Sequence, residues 1–546
     1  MKRIRALHST QHRPLRDRHA RVDLVLIGVI SALFLTCAPV GAQALKNPLV
    51  PAGRARLDFS SSFTAWDSRF GINAAGQDAE EALGDDLTDE TGASLFPGLV
   101  NLEANLRAMA SGLNLSPVIG SSLGQVQKDV SRIDLSLELG VFDWLTVGAT
   151  VPWVQNRTTL DLAFTPFPGS ELGLNPSLSG DGAVGATLSL LSDAASNARA
   201  WADATCQAGG PACQTAEALA NRVEQFLLGS QGAYYGSPLF PTFDSSTADA
   251  LRGALTDLDT SLSAAGLGPT GAVLPFSQEV LTAEKFLDLP SMPGAGIDGA
   301  PLQNVEGLWV MGDVEVHATV RLLEGEVRDS GAAAPSLSYM VAGTGLVRLG
   351  TGIVDDVDIF LDMGTGDGQM DIEASLFGAL RVGNRLGVRA RVRYGIQQAQ
   401  SLFLRVAPHE VVMPPVNLKR AVRWTPGSYV AFSVSPRWHL TDELSLNGDY
   451  RFFTKGDDSY EIIGDAVLGG ITADPADLAH ESSLTVQEAG LGFTYSTMNT
   501  WRAGRAGSPL EFNGRVVRAV AGSGGRTPKS VRFELSFRIF RRIWGS

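Results

Sequence analysis

Cysteine is nearly absent: three residues in 546. Cys37 falls in the N-terminal segment, so only Cys206 and Cys213, in CQAGGPAC, remain for the rest of the chain. Two cysteines hold zinc only with further ligands, and no histidine lies near them. In an exported chain they read as a Cys206–Cys213 disulfide stapling a helical hairpin. Histidine is also scarce. Beyond the first fifty residues there are only His317, His409, His439 and His480. None belongs to a GxSxG or HExxH motif, and Gly364–Gly368 (GTGDG) lacks the lysine of a phosphate loop. The expectation is a non-enzyme without catalytic residues, metal or cofactor. A hydrolase built on His317 or His439 is the weakest alternative. Charged residues make up 19%. After residue 50 no uncharged apolar run reaches the ~18 residues of a membrane-spanning helix.

What is present begins with an address. Lys2, Arg3, Arg5, Arg13, Arg16, Arg18 and Arg21 precede an apolar stretch, Leu24 to Pro39, and a small-residue site, Val40-Gly41-Ala42. This is a secretory signal pattern over residues 1–42, cleaved before Gln43. Thr36 and Phe34 are poor neighbours for a lipid-bearing Cys37. Cleavage removes seven basic and two acidic residues, so the net charge of −14 becomes −19. Such a chain repels phosphate backbones, which argues against nucleic acid as a partner.

The body of the chain, 43–546, is organised by a period of two. In Arg132 to Trp153 (RIDLSLELGVFDWLTVGATVPW), Ile133, Leu135, Leu137, Leu139 and Val141 share one face. After Phe142-Asp143-Trp144 the alternation restarts with Leu145, Val147, Ala149, Val151 and Trp153. That is a hairpin with one apolar and one polar face. Similar runs occur at Gly53–Trp66, Asp313–Leu322, Leu337–Leu349, Asp371–Arg381, Leu386–Gln397, Tyr429–Leu440, Leu444–Lys455, Leu484–Ser496, Leu510–Val520 and Val531–Phe540. Connections after Val141, Arg381 and Leu440 are very short. Those after Trp66, Trp153, Leu349, Gln397 and Lys455 are long. Aromatics stand at strand ends: Trp66, Trp144, Trp153, Trp438, Phe452 and Phe453. These features predict an all-β fold: a closed antiparallel transmembrane β-barrel of about twelve strands, with aromatic girdles. A soluble β-sandwich accounts for them less well.

Two stretches depart from the strand pattern. Gly71 to Glu90 is acidic, with Asp78, Glu80, Glu81, Asp85, Asp86, Asp89 and Glu90, and reads as a solvated loop. It precedes Leu99, Leu102, Leu106 and Met109 at helical spacing. Residues 166–303 break the alternation altogether. Ser192–Thr205, Gln214–Leu228 and Asp249–Ala264 are helical in period. This predicts an α-helical insert within one long loop, either projecting outward or plugging the barrel.

If apolar residues face lipid, the alternate ones face the lumen. Channel-lining candidates are Asp134, Glu138, Asp313, Glu315, His317, Arg321, Asp371, Glu373, Arg389, Arg391, Arg393, Arg437, Asp449 and Arg451, with Arg532, Glu534 and Arg538. Arg389, Arg391 and Arg393 form a ladder suited to anionic or polar solutes. A set of structural ion pairs filling the barrel would use the same residues.

GVFDWLTVGATVPWVQNRT resembles the outer-membrane proteins associated with phenol meta-pathway degradation. Those proteins repeat a strand, a GxTDxLxxGxxxP-like turn and a second strand. Phe142 stands where that pattern has Thr. GDVEVHATVRLL and GTGDGQMDIEASLFGALRVGNRLGVRARVRY resemble later hairpins of the same family. The resemblance covers most strands but not Pro166 to Gln303. It implies a transporter-like barrel of a Gram-negative outer membrane that passes small, often hydrophobic molecules, and it carries no residue-level substrate site. The partners expected are outer-membrane lipid, a small-molecule solute and the barrel-assembly machinery. The alternative is a closed structural or surface-recognition barrel whose insert binds a partner.

Overall fold

A computed structural model describes residues 47–546 apart from 73–77, 92–95, 97, 114–118, 168–169, 181, 208, 328–335, 409–410, 466, 469–470, 525 and 545–546. The signal segment and His409 lie outside the described residues.

Among these, twelve strands close on themselves. They are β1 (Arg54–Trp66), β2 (Gly120–Phe142), β3 (Leu145–Pro166), β4 (Glu315–Val327), β5 (Leu337–Arg348) and β6 (Asp371–Val382), then β7 (Leu386–Gln397), β8 (Tyr429–His439), β9 (Leu444–Lys455), β10 (Leu484–Ser496), β11 (Leu510–Ser523) and β12 (Val531–Arg542). Each pairs antiparallel with its sequence neighbours, and β12 pairs with β1 to close the barrel. Closure removes the free edges that lipid could not satisfy.

Burial runs inside out. Along β2, Leu135 and Leu137 are 47% and 46% exposed, while Ser136 and Glu138 are 1% exposed. Phe59 of β1 lies between Phe537 and Leu135 in register, and all three are exposed. The next register row, pointing the other way, runs Arg538, Asp58, Ser136, Thr150, Glu315, Arg348, Asp371. An exposed apolar belt around a polar interior is what a hydrocarbon surround selects. Tight connections at 143–144, 383–385 and 440–443 lie at one end of the barrel. Long ones at 67–119, 167–314, 349–370, 398–428 and 456–483 lie at the other. The rule for outer-membrane barrels would make the first end periplasmic and the second extracellular, and the two ends are named accordingly.

Trp153 is not the end of its strand. β2 and β3 have 23 and 22 residues and continue beyond the barrel wall as a hairpin. On that extension apolar side chains enter the inward positions, buried at Val126, Val130 and Val154 beside the buried polar Asn156 and Thr158. The outward ones become polar: Gln155, Arg157 and Thr159. The alternation thus reverses phase where the chain leaves lipid for water.

The extension carries a helical cap. Helices α1 (Gly98–Met109), α2 (Ala183–Cys206), α3 (Pro211–Tyr235), α4 (Ser246–Ala264) and α5 (Ala283–Asp288) share one apolar core with Val126 and Phe164 of the hairpin. Leu99, Leu102, Leu106 and Met109 of α1 are buried in it. The cap therefore draws on two connections, because α1 belongs to 67–119 and the other helices to 167–314. A Cβ at Gly229 of α3 would stand 2.7 Å from the Asn105 carbonyl of α1, so the two helices approach at backbone distance. Cys206 and Cys213 form the disulfide joining α2 to α3.

Two expected girdle residues face inward instead. Trp66 is buried against Val130 and Val154. Phe453 shares its face with Asp449 and Arg451, and its ring meets Tyr429 at 5.5 Å. Trp144, Trp153 and Trp438 are exposed. In the acidic stretch, Glu81 and Asp86 pair with Arg69 at 3.0 and 2.9 Å, and Glu80 pairs with Lys529.

Candidate functional site

The inward rows build a polar interior in three tiers. At the extracellular mouth, a cavity of about 400 Å³ lies among strand ends and loops. Its walls include Trp66, Arg132, Arg348, Asp371 and Tyr429, together with Asp313 and Asp367. The connection 349–370 folds down against β3. Asn156 donates to the carbonyls of Met363 and Gly364, and Thr158 donates to Leu361. Asp313 precedes β4 rather than opening it, and its carboxylate accepts from the backbone N–H groups of Gly352 and Asp367 at 2.8 and 3.3 Å. So Gly364–Gly368 is not a free turn: it is pinned inside the mouth.

Electrostatics there follow burial. Asp367 is pushed up to about 6, first by desolvation and then by the neighbouring carboxylates Asp313 and Asp371. Burial also raises Asp313, against the pull of its two backbone donors. Asp358, higher in the same loop, is held low by hydrogen bonds from Lys419 and Arg405. Arg405 is buried and also donates to the carbonyls of Ile297, Pro414 and Asp298, at 2.5, 2.7 and 3.1 Å. One guanidinium thereby ties three extracellular connections together.

The middle tier is a network of ion pairs. Arg348 binds Glu315 at 3.0 Å and Asp371 at 2.6 Å. Arg132 pairs with Asp134, and Arg56 with Glu138. His317 Nε2 stands 3.9 Å from Glu138. Glu373 accepts from the Tyr429 hydroxyl at 2.9 Å and faces Arg393 at 3.8 Å. On the opposite wall Arg451, Arg515 and Arg532 share Asp449, Glu488 and Glu534. Arg538 bridges Asp58 at 2.7 Å and Glu511 at 2.5 Å. Buried charge is tolerated only with partners of this kind. Against the β2–β7 wall a cavity of about 70 Å³ touches Glu138, Glu315, His317, Arg391 and Arg393.

Arg321 stands apart from the network. It keeps the inward register opposite Ala342 but stands beside the 143–144 turn at the periplasmic rim, where it pairs with Glu324; the bulge falls just after it, at Leu322. Its backbone N–H bonds the Trp144 carbonyl at 2.8 Å.

The lowest tier comes from the chain before β1. Val50 is fully buried, and its N–H donates to Thr146 Oγ1 at 2.8 Å. Thr146 faces inward near the foot of β3. Arg56 holds the Asn47 carbonyl at 2.6 Å, and Pro48 lines the smaller cavity. Residues 47–51 therefore lie across the periplasmic end of the lumen.

Sequence reasoning missed Arg56, Asp58, Arg348, Glu488, Glu511 and Arg515. The same parity that exposes Leu57 and Phe59 assigns Arg56 and Asp58 to the interior, so that signal was present. Residues 47–51 carry no such signal, because nothing in their pattern says that they enter a barrel.

No family model matches the chain, and no curated protein matches its sequence. Among solved structures, the COG4313 outer membrane channel from Pseudomonas putida F1 is similar at 9% identity and a TM-score of 0.38, over 93% of this chain and 100% of that one. The P. putida toluene transporter TodX is similar at 13% identity and 0.23, over 91% and 92%. The translocator domain of the autotransporter NalP from Neisseria meningitidis is similar at 7% identity and 0.27, over 96% and 95%. No weight rests on likenesses at such scores; the barrel follows from the strand pairing itself.

Proposed function

We propose that the chain is a passive outer-membrane channel for small molecules, exported by a signal peptide cleaved after residue 42 and inserted by the barrel-assembly machinery. The observation that carries this reading is the polar interior joined to the 400 Å³ mouth cavity inside a closed, lipid-facing wall. A purely structural barrel has no use for an open, charged vestibule. Solutes enter at the mouth, pass the ion-paired waist and leave past residues 47–51. Asp134, Glu138, Glu315, His317, Asp371 and Glu373 line that route, with the arginines of β7. Residues 166–303 belong to the extracellular cap. The resemblance to the phenol meta-pathway family adds apolar or aromatic solutes to the candidates. The protein acts on its solutes by admitting them and not by chemistry.

The dense ion pairing favours one second reading, a closed barrel whose cap binds a partner. Single-channel recording and liposome swelling separate the two. Stepwise conductance and solute-dependent swelling support the channel. Their absence, both from the intact protein and from a form lacking 166–303 that still shifts on heating in gels, would sink it.

A further inference from the structure

The charge inside the barrel is not evenly matched. On the wall of β9 to β12, Arg451, Arg515, Arg532 and Arg538 each face carboxylates within pairing distance. On the wall of β6 to β8, three inward guanidiniums have no ion pair among the described residues: Arg381, Arg391 and Arg437. The buried Nε of each lacks a hydrogen-bond partner. Arg437 has one neutral contact, to Thr494 at 3.3 Å. Arg391 lies over the Phe377 ring, 5.7 Å from its centroid. The nearby acids are engaged elsewhere: Glu373 with Arg393 and Tyr429, Glu138 with Arg56, Glu511 with Arg538.

Register places the three cations on one wall at two levels. Arg381 and Arg437 flank Gly387 in one row across β6, β7 and β8. Arg389 follows two residues up β7, and Arg391 two residues further. Such steps are about 7 Å each, the repeat of one strand face. Gly387 has no side chain, so the row between the two arginines is open. Arg391 borders the 70 Å³ cavity, which is large enough for a carboxylate group. All three are half-buried, and a cation so placed without a counter-charge is kept mainly where a ligand supplies the missing charge.

We propose that the β6–β8 wall is a binding site for small carboxylate anions, with Arg391 as the principal contact at the cavity and Arg437 and Arg381 lining the path from it to the periplasmic exit. A carboxylate accepts the forked N–H groups of a guanidinium that has no other acid to hold. Arg393, the third rung expected from sequence, is excluded from the contacts because it serves Glu373. The site gives the channel its solute class, and to that extent it rests on the channel reading.

Two measurements on the full-length protein keep the readings apart. Benzoate is the probe, being a carboxylate with its own ultraviolet absorbance. Equilibrium dialysis against protein in detergent micelles should show saturable benzoate retention. Arg391→Gln with Arg437→Gln should weaken it at least tenfold, while Arg391→Lys keeps part of it. Reversal potentials in a salt gradient should favour chloride over potassium, and the double variant should lose that preference. The heat-dependent gel shift verifies that each variant is folded. Saturable retention without conductance would support the site and sink the channel. Conductance without retention or anion preference would overturn the site and leave the channel standing. A folded double variant that binds and selects like the parent would also overturn it.

Discussion

Asn156 of β3 and Gly364 of the connection 349–370 are joined by an N–H···O bond of 2.6 Å, and the same amide reaches Met363 at 2.8 Å. A strand residue more than two hundred positions away holds the loop in the mouth. Each such bond contributes about 1 kcal/mol. Asn156→Leu should release the loop while leaving the barrel folded. A cysteine introduced as Thr365→Cys should then react several-fold faster with a polar thiol reagent. An unchanged rate would show that the loop is held by something else.

The mouth should also titrate. Asp367 is raised to about 6, so it binds its proton more tightly folded than unfolded. Its contribution to stability is complete below the unfolded value near 4. It is lost as the pH rises to about 6 and stays lost above that. Asp367→Asn removes the charged form. The variant should gain about 1–2 kcal/mol over the parent at pH 8 and nothing at pH 4. Denaturant unfolding in micelles across that range tests it, and a variant less stable at pH 8 would refute the assignment.

The periplasmic end should open on a small change. Gly140 faces the Val50 and Pro51 carbonyls so closely that a Cβ there would collide with both. Gly53 N–H bonds the Gly140 carbonyl at 2.9 Å, so the segment is anchored on either side of the collision. Gly140→Ala should displace residues 47–51 and raise single-channel conductance at least twofold. Equal conductance in variant and parent would mean that this segment is not the narrow point.

The outer face has its own test. Leu137 is exposed to lipid beside the buried Glu138. Leu137→Arg should destabilise the inserted barrel by about 2–4 kcal/mol if the residue lies near mid-bilayer. Refolding into vesicles from urea measures this. An effect below 0.5 kcal/mol, the usual size for exposed sites in water, would argue against a membrane-embedded face.

Alternation along one strand specified its two faces; its repetition, with the signal segment, the loop lengths and the strand-end aromatics, specified the barrel. Leu135 and Leu137 against Ser136 and Glu138 state which face meets which medium, and strand number and loop lengths follow from repeating that pattern. Cys206 and Cys213 are close in sequence, so their pairing was legible too. The inward residues were legible wherever the period was unbroken. The bulge at Leu322 and the phase reversal beyond Trp153 were not, since a shift of one residue exchanges the two faces.

Only the tertiary structure decided which charges neutralise one another. Arg393 and Arg391 stand two residues apart on one face of one strand, and sequence treats them alike. Glu373, on the neighbouring strand, reaches the first and leaves the second without an acid. Pairing depends on distances across the barrel that register and curvature set. Likewise, a period of two has no means of announcing that Val50 enters the lumen or that Asn156 pins a loop from another hairpin. Sequence determined the wall, because the wall is a local contrast between lipid and water. The contents of the lumen depended on contacts between residues far apart in the chain.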